Sequence, residues 1–349
     1  MAANVQRKRH ALLVHTDREL RRQCIHFEAQ KNSYKRASAI SPEGRCFIGA
    51  PVARFTGEEL EIVADMLAVE EPLEIQLVYG AASNRQTKSI SVTMRTPGND
   101  FELAAGFLIT EGVVRDSTDS AHIRYFVGRS PDEQPVPATI QLEAREILPY
   151  QPERNVVAVE LEPDVEVKLA NLERNFYTTS SCGICGKASL LALRTVCPPR
   201  ASNRFTFRSK LLYTLSSKLR NAQLVFERTG GLHAAGLFDQ AGELLSSSED
   251  VGRHNAVDKL LGAEFVADRV PLRNCLLFLS GRASFELLQK ALMGDIPMVV
   301  AVGAPSSLAV QVAKEFNVML VGFLRADHFN VYHGTEHLIT DGTLSGGTE

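Results

Sequence analysis

Apolar positions recur along this chain with two different periods, and the change of period divides it. Glu74-Ile75-Gln76-Leu77-Val78-Tyr79 and Lys88-Ser89-Ile90-Ser91-Val92-Thr93-Met94 alternate as half-buried strands do, on either side of a turn over 80–86. Pro97-Gly98-Asn99-Asp100 predicts the cap of a helix over 101–110, stopped by Gly112. Further strands are expected at 123–127, 138–142 and 156–161. After Phe176 the texture changes: Thr178-Thr179-Ser180-Ser181-Cys182-Gly183-Ile184-Cys185-Gly186 contains almost nothing that can pack. Helical spacing returns over 187–196 and 209–221. From there strands at 232–238, 275–279, 298–302 and 318–324 alternate with helices at 254–261, 285–293 and 308–316. Such alternation predicts a three-layer α/β/α domain whose sheet is largely buried.

The fold class is therefore α/β, with a β-rich N-terminal subdomain followed by the three-layer domain. The expected organisation is a basic extension at 1–48, the β-rich subdomain at 49–175 with folded sequence starting near Pro51, a CxxC loop at 176–190, and an α/β cofactor-binding domain at 191–349. The extension is set apart by charge: residues 1–36 hold nine Lys/Arg against three acidic residues, a net of +6, with weak apolar periodicity. It reads as a solvated tail or a tethering arm.

Charge and composition narrow the partners. A net charge of −3 and a pI near 6.3 leave no global basic field for nucleic acid. No apolar stretch approaches the roughly 20 residues of a spanning helix, so no membrane is expected. The basic N-terminus is followed by no apolar signal segment, and six irregularly spaced cysteines make no disulfide framework. A cytoplasmic protein is expected.

One thiol pair, Cys182 and Cys185, then becomes the leading candidate for chemistry. A helix start and the ammonium of Lys187 just beyond it favour thiolate, and Gly183 and Gly186 leave the sulfurs accessible. Three other readings compete. A structural zinc needs two further ligands, which Cys197 and His233 would have to supply from irregular spacing. A thioredoxin-like dithiol wants a strand just before the pair, where a Ser/Thr run stands. Inert core thiols are poorly served by a Gly/Ser loop; Cys275, in an apolar strand, suits that role better. A zinc deaminase is excluded: the sole H-x-E is His26-Phe27-Glu28 in the tail, and Ser181 rather than proline precedes the pair. Neither G-x-x-x-x-G-K-[ST] nor G-x-G-x-x-G occurs. Three polar strand-to-helix junctions nonetheless suit an anionic ligand: Ser280-Gly281-Arg282-Ala283-Ser284, Gly303-Ala304-Pro305-Ser306-Ser307, and Glu249-Asp250-Val251-Gly252-Arg253-His254-Asn255.

Several of these segments, in this order, resemble the formate dehydrogenase accessory sulfurtransferase family. The resemblance rests on Pro97 through Leu108, Ser181-Cys182-Gly183-Ile184-Cys185-Gly186-Lys187, Gly230-Gly231-Leu232-His233-Ala234-Ala235, the run from Glu249 to Lys259, Ser280 through Glu286, and Val321-Gly322-Phe323. It covers residues 51–338. It implies a sulfurtransferase that takes persulfide sulfur from a cysteine desulfurase. The acceptor it implies is the molybdenum (or tungsten) bis-molybdopterin guanine dinucleotide cofactor, serving the catalytic subunit of formate dehydrogenase. Cys182 would carry the persulfide and Cys185 would assist or resolve. Phe323, Leu324, Arg325, Ala326, Asp327 and His328 would contact the guanine dinucleotide, with Ala326 and His328 replacing a glycine and an arginine common in that pattern. The resemblance further implies a cytidine-deaminase-like domain without zinc, no intrinsic metal, and a homodimer. A thiol-disulfide oxidoreductase, or a redox-sensing nucleotide-binding protein, is the alternative use of the same pair.

Overall fold

The computed structural model describes residues 46–126, 154–163, 165, 167, 193, 194, 197 and 204–340. The extension over 1–45, the strand expected at 138–142, the loop at 176–190 with Cys182 and Cys185, and most of the helix expected at 187–196 lie outside these residues. Leu193 and Arg194 are helical.

Described structure opens with a long antiparallel hairpin, β1 (Phe47–Thr56) and β2 (Glu59–Ala68), paired in register from Phe47↔Ala68 to Thr56↔Glu59. It starts ahead of Pro51 and was not foreseen as strands. Phe55, Leu60 and Ile62 are exposed on it, so its apolar residues mark no core face. Only the base is anchored, where Phe47 and Ala68 pack on a small cluster of Cys46, Val225 and Leu232.

The next sheet has the order β4-β3-β6-β5, built from β3 (Glu71–Tyr79), β4 (Gln86–Arg95), β5 (Ser120–Tyr125) and β6 (Val156–Leu161). Leu73, Ile75 and Leu77 alternate onto one face and are buried with Leu103, Ala104 and Leu108 of α1 (Asp100–Thr110). The start of α1 differs from the sequence expectation. Asn99 caps in the left-handed conformation (φ 54°) with no side-chain hydrogen bond to the helix backbone. Asp100 turns inward instead and takes a bidentate bond from Arg95, at 2.9 and 3.0 Å, with Tyr125 donating at 3.1 Å. A buried guanidinium outbids the local cap because both charges would otherwise be desolvated unpaired.

The larger sheet has the order β13-β12-β11-β10-β8-β9. Its strands are β8 (His233–Phe238), β9 (Leu244–Asp250), β10 (Leu276–Leu279), β11 (Met298–Ala301), β12 (Met319–Gly322) and β13 (Asn330–His333). The three central strands run parallel, and β8 and β13 flank them antiparallel. Alternate residues face opposite layers. Leu277, Leu279, Val299 and Leu320 pack under α4 (Arg253–Val266), α5 (Phe285–Met293) and α6 (Ser307–Glu315). Leu276, Phe278, Val300 and Val321 pack on α2 (Ser209–Ala222), which is followed by the short α3 (Leu224–Thr229). A small parallel pair, β7 (Phe207–Arg208) with β14 (Leu338–Ile339), completes the order. The expected α/β/α layering is thus present. The edge strands β9 and β13 were not foreseen, and α4 runs five residues past the expected 261.

The two sheets are joined where α1 crosses α4. A Cβ on Gly106 would stand 1.8 Å from the carbonyl oxygen of Asp258, and one on Gly262 would stand 1.8 Å from that of Glu102. Backbone lies on backbone here, and no side chain fits. Beside the crossing, the buried Asp258 carboxylate accepts from Thr110 Oγ1 at 2.8 Å and from Lys290 Nζ at 2.9 Å. Substituting Gly262→Ala should therefore cost more than about 3 kcal/mol, the upper range for overpacking, because two backbones must separate. Gly49→Ala, whose nearest neighbour would be Met66 Sδ at 3.8 Å, should be near neutral. Urea denaturation of both variants against wild type checks the contrast, and a near-neutral Gly262→Ala would refute the crossing.

Candidate functional site

The loops that leave β10, β11 and β12 form one crest. Backbone bonds lace them together: Gly303 N donates to Gly281 O at 2.8 Å, Ala283 N to Ala304 O at 3.2 Å, Ser306 N to Ala283 O at 2.9 Å and Phe323 N to Gly303 O at 3.2 Å. Two glycines make the lacing possible. A Cβ on Gly303 would meet the backbone of Arg282 at 2.9 Å, and one on Gly322 would meet Pro305 Cδ at 2.8 Å. Ser306 Oγ caps α6 by accepting from Ala309 N at 3.1 Å. The crest is a preformed shelf at the carboxyl ends of parallel strands, where open α/β sheets place ligands.

At one end of the shelf lie the residues singled out from sequence after the last parallel strand. Phe323 holds a positive φ of 53°, a conformation bulky residues rarely adopt, and its ring is exposed. Leu324 is different: it is 1% exposed, its side chain in the core that includes Val321 and Met298 and its N–H donating to Ala301 O at 3.1 Å. The exposed Arg325 donates from Nη1 to Val302 O at 2.7 Å and to Leu324 O at 2.9 Å, which ties its guanidinium to the crest. Arg325 N donates to His328 O at 2.8 Å, closing a tight turn through Ala326 and Asp327. His328 Nδ1 lies 2.7 Å from Asp327 Oδ1, and both are well exposed. The six residues are thus brought together, five of them at the surface, with an open aromatic face beside a cation.

At the other end stand β8 and the start of α4. The run from Glu249 to Asn255, which sequence reading treats as one polar patch, divides into two functions. Glu249 accepts from Val225 N and Phe226 N at 3.0 and 2.9 Å. Asp250 pairs with Lys259 Nζ at 2.7 Å and accepts from Thr96 N at 3.1 Å. Asn255 donates to Met94 O at 2.7 Å and accepts from Thr93 at 3.1 Å. These three are consumed in holding the smaller sheet and α3 to the larger one, a task that sequence could not reveal because the partners Thr93, Met94, Thr96, Val225 and Phe226 are distant in the chain. Arg253 and His254 are not consumed: Arg253 Nε and His254 Nε2 are buried and have no hydrogen-bond partner. The His233 ring sits beside them, 3.4 Å from where a Cβ on Gly281 would be. Burial, with Lys290 and Arg253 nearby, pushes His254 down to about 4. Burial and Arg253 also hold His233 below its ordinary value.

Cys182 and Cys185 lie outside the described residues. Burial pushes Cys275 up to about 11, in keeping with an unreactive core thiol. Among the described residues, no three His, Cys, Asp or Glu side chains converge as metal ligands would, and no helix is long and apolar enough to cross a membrane.

Fold and site together define a mixed α/β protein with a rigid, polar ligand shelf on its parallel strands. Residues 68–339 match the model of the FdhD/NarQ family, and the chain belongs to that family. It is 48% identical over 276 residues to the sulfur carrier protein FdhD of Streptomyces coelicolor, covering 78% of this chain and 89% of the relative. It is 46% identical over 282 residues to that of Mycobacterium tuberculosis, covering 80% and 94%. The crystal structure of a putative formate dehydrogenase accessory protein from Desulfotalea psychrophila superposes with a TM-score of 0.60 at 20% identity, covering 84% of this chain and 100% of the other, a likeness of fold.

The buried imidazole sets a pH dependence. In the unfolded chain His254 titrates at its ordinary 6.5, and in the native protein at about 4. Above 6.5 both states are neutral and the group adds no slope. Between 6.5 and about 4 the unfolded chain binds a proton that the native one does not, so stability falls as pH falls. In urea titrations at stepped pH, wild type should lose stability relative to His254→Gln over that window and hold a constant difference above it. A difference independent of pH would show that the native imidazole titrates normally.

Proposed function

We propose that this protein is a sulfur carrier in the maturation of formate dehydrogenase, with Cys182 as the persulfide-bearing residue. The observation that supports this best is the 48% identity to a sulfur carrier over four-fifths of the chain, with the thiol pair inside the matched residues 68–339. The donor is a cysteine desulfurase. The Cys182 thiolate attacks the terminal sulfur of the donor's persulfide, forming Cys182–S–SH and releasing the donor's own thiolate. Delivery requires sulfur at the sulfide level. Cys185 provides the two electrons: its thiolate attacks Cys182 Sγ, a Cys182–Cys185 disulfide forms, and HS⁻ leaves for the acceptor. Two equivalents of an external thiol, leaving as their disulfide, then restore the pair.

The acceptor substrate is the molybdenum bis-molybdopterin guanine dinucleotide cofactor of the formate dehydrogenase catalytic subunit. The shelf suits it: Phe323 offers a face for stacking a base, and Arg325 a charge-assisted bond to a phosphate. Rigid lacing lowers the ordering cost of binding a large ligand. A homodimer belongs to the same reading. A redox or redox-sensing use of the thiol pair is the competing account.

Two experiments decide. Incubated with a desulfurase and cysteine, the wild-type protein should gain the mass of one sulfur atom on Cys182, whereas a redox protein would only lose two hydrogens. Cys182→Ala should abolish activation of a co-expressed formate dehydrogenase, and Cys185→Ala should leave a remnant; full activation by Cys182→Ala would sink the mechanism.

The nucleotide end is tested separately. GDP should bind the isolated protein with an affinity that falls as salt rises. Arg325→Ala should weaken it roughly ten- to a hundred-fold, the worth of one charge-assisted bond. Calorimetry giving equal affinities for both proteins would remove this segment from the cofactor contacts.

A further inference from the structure

The shelf has a second end that the assignment of residues 323–328 leaves unused. Arg253 and His254 open α4 and His233 opens β8, and the three act on one another's charge; Ser284 precedes α5, whose Glu286 acts on Arg253 and His254 as well. A buried N–H without a partner is costly, and native proteins leave few of them. Here two buried nitrogens in adjacent residues, Arg253 Nε and His254 Nε2, lack one. Their neighbours in the same motif are all partnered, since Glu249, Asp250 and Asn255 each hold two or more bonds. Within this motif the shortfall falls on Arg253 and His254 alone, the two residues close to His233.

Charge indicates what would complete the cluster. Arg253 is always cationic and, among the described residues, forms no ion pair. Lys290 lies beneath His254 but is committed to Asp258 and Glu111. The exposed Glu286 acts on both Arg253 and His254 from the rim, and the buried Asp250, paired with Lys259, acts on His233. Gly281 leaves room over the His233 ring, because a Cβ there would approach it to 3.4 Å. The missing partner is thus a compact group with several acceptor oxygens, able to take a guanidinium N–H and imidazole N–H donors at once.

We propose that Arg253, His254, His233 and Ser284 form a second subsite on the shelf that binds a phosphate-class oxyanion. Three strand spacings separate β8 from β12, roughly 14 Å, so this subsite and Arg325 do not share one phosphate group. The oxyanion belongs either to the far end of the elongated acceptor or to a separate phosphate. The inference deepens the reading of the shelf as an acceptor site but requires no sulfur transfer.

The test uses the full chain with inorganic phosphate as the probe, read by imidazole resonances of ¹⁵N-histidine-labelled protein. Phosphate should shift the His254 and His233 signals saturably. Arg253→Gln should weaken that response by roughly tenfold or more, as loss of a charge-assisted bond does. Arg253→Lys, which keeps the charge without Nε–H, should fall between. Glu286→Gln should tighten it by removing a like charge from the rim, and Arg325→Ala should leave it unchanged. GDP added at saturating phosphate identifies the source: displacement at His254 means one ligand spans both ends, and joint binding means two. Either result requires the subsite. If phosphate leaves His254 and His233 unmoved, or moves them equally in wild type, Arg253→Gln and a correctly folded Arg253→Lys, the subsite does not exist. Sulfur loading of Cys182 is measured without phosphate, so its failure and this one are separable.

Discussion

The placement of Arg253 and His254 depends on how closely α1 and α4 approach. Gly106 and Gly262 let each helix rest on the other's carbonyl groups, and no other residue fits either place. Such contact fixes the rotation and the depth of α4 together, because backbone, unlike a side chain, has no rotamer through which to relax. Since α4 begins at Arg253, the crossing sets where Arg253 and His254 stand relative to the crest of β10.

Buried charge reinforces the same junction. Asp258 with Lys290, and Asp250 with Lys259, are ion pairs in which all four residues are 5% exposed or less. Pairs of this kind add little net stability over an apolar core, but losing one partner is expensive. Their value is specificity of arrangement. Lys259 also donates to Thr96 O and Lys290 to Thr110 Oγ1, so each charge is held by both sheets' elements at once. Were the junction apolar, α4 could slide; with directional bonds it has one register.

What the sequence disclosed follows from where apolar residues point. β10, β11 and β12 are buried on both faces, and their unbroken apolar runs were readable to within two residues. β9 was missed because Leu244-Leu245-Ser246-Ser247-Ser248-Glu249-Asp250 is an edge strand whose polar groups find partners across the fold, as Ser246 does with Glu264 at 2.8 Å. The β1–β2 hairpin was missed for the opposite reason: it has apolar residues but no core. Asp100 was read as part of a helix cap because caps are local, whereas Arg95 reaches it through tertiary packing. At the site, the shelf and its helix starts were legible from Gly, Ser and Arg at strand ends. The division of Glu249 to Asn255 into consumed and unconsumed residues was not, since it is decided by Thr93, Met94, Thr96, Val225 and Phe226.

That division carries a chemical consequence. A histidine beside an arginine at a helix start invites a reading as two cations, yet burial over Lys290 keeps His254 neutral at physiological pH. With Lys290 paired to Asp258, the unpaired positive charge of the cluster comes from Arg253, and the imidazole groups can give or accept a hydrogen bond without adding charge. A site of two or three permanent cations would hold a polyanion tightly and release it slowly. One cation, neutral donors and a carboxylate on the rim would grip an oxyanion more weakly than that. Because the loops are already tied through Gly303 and Gly322, a ligand bound at the crest would need to order little of the protein.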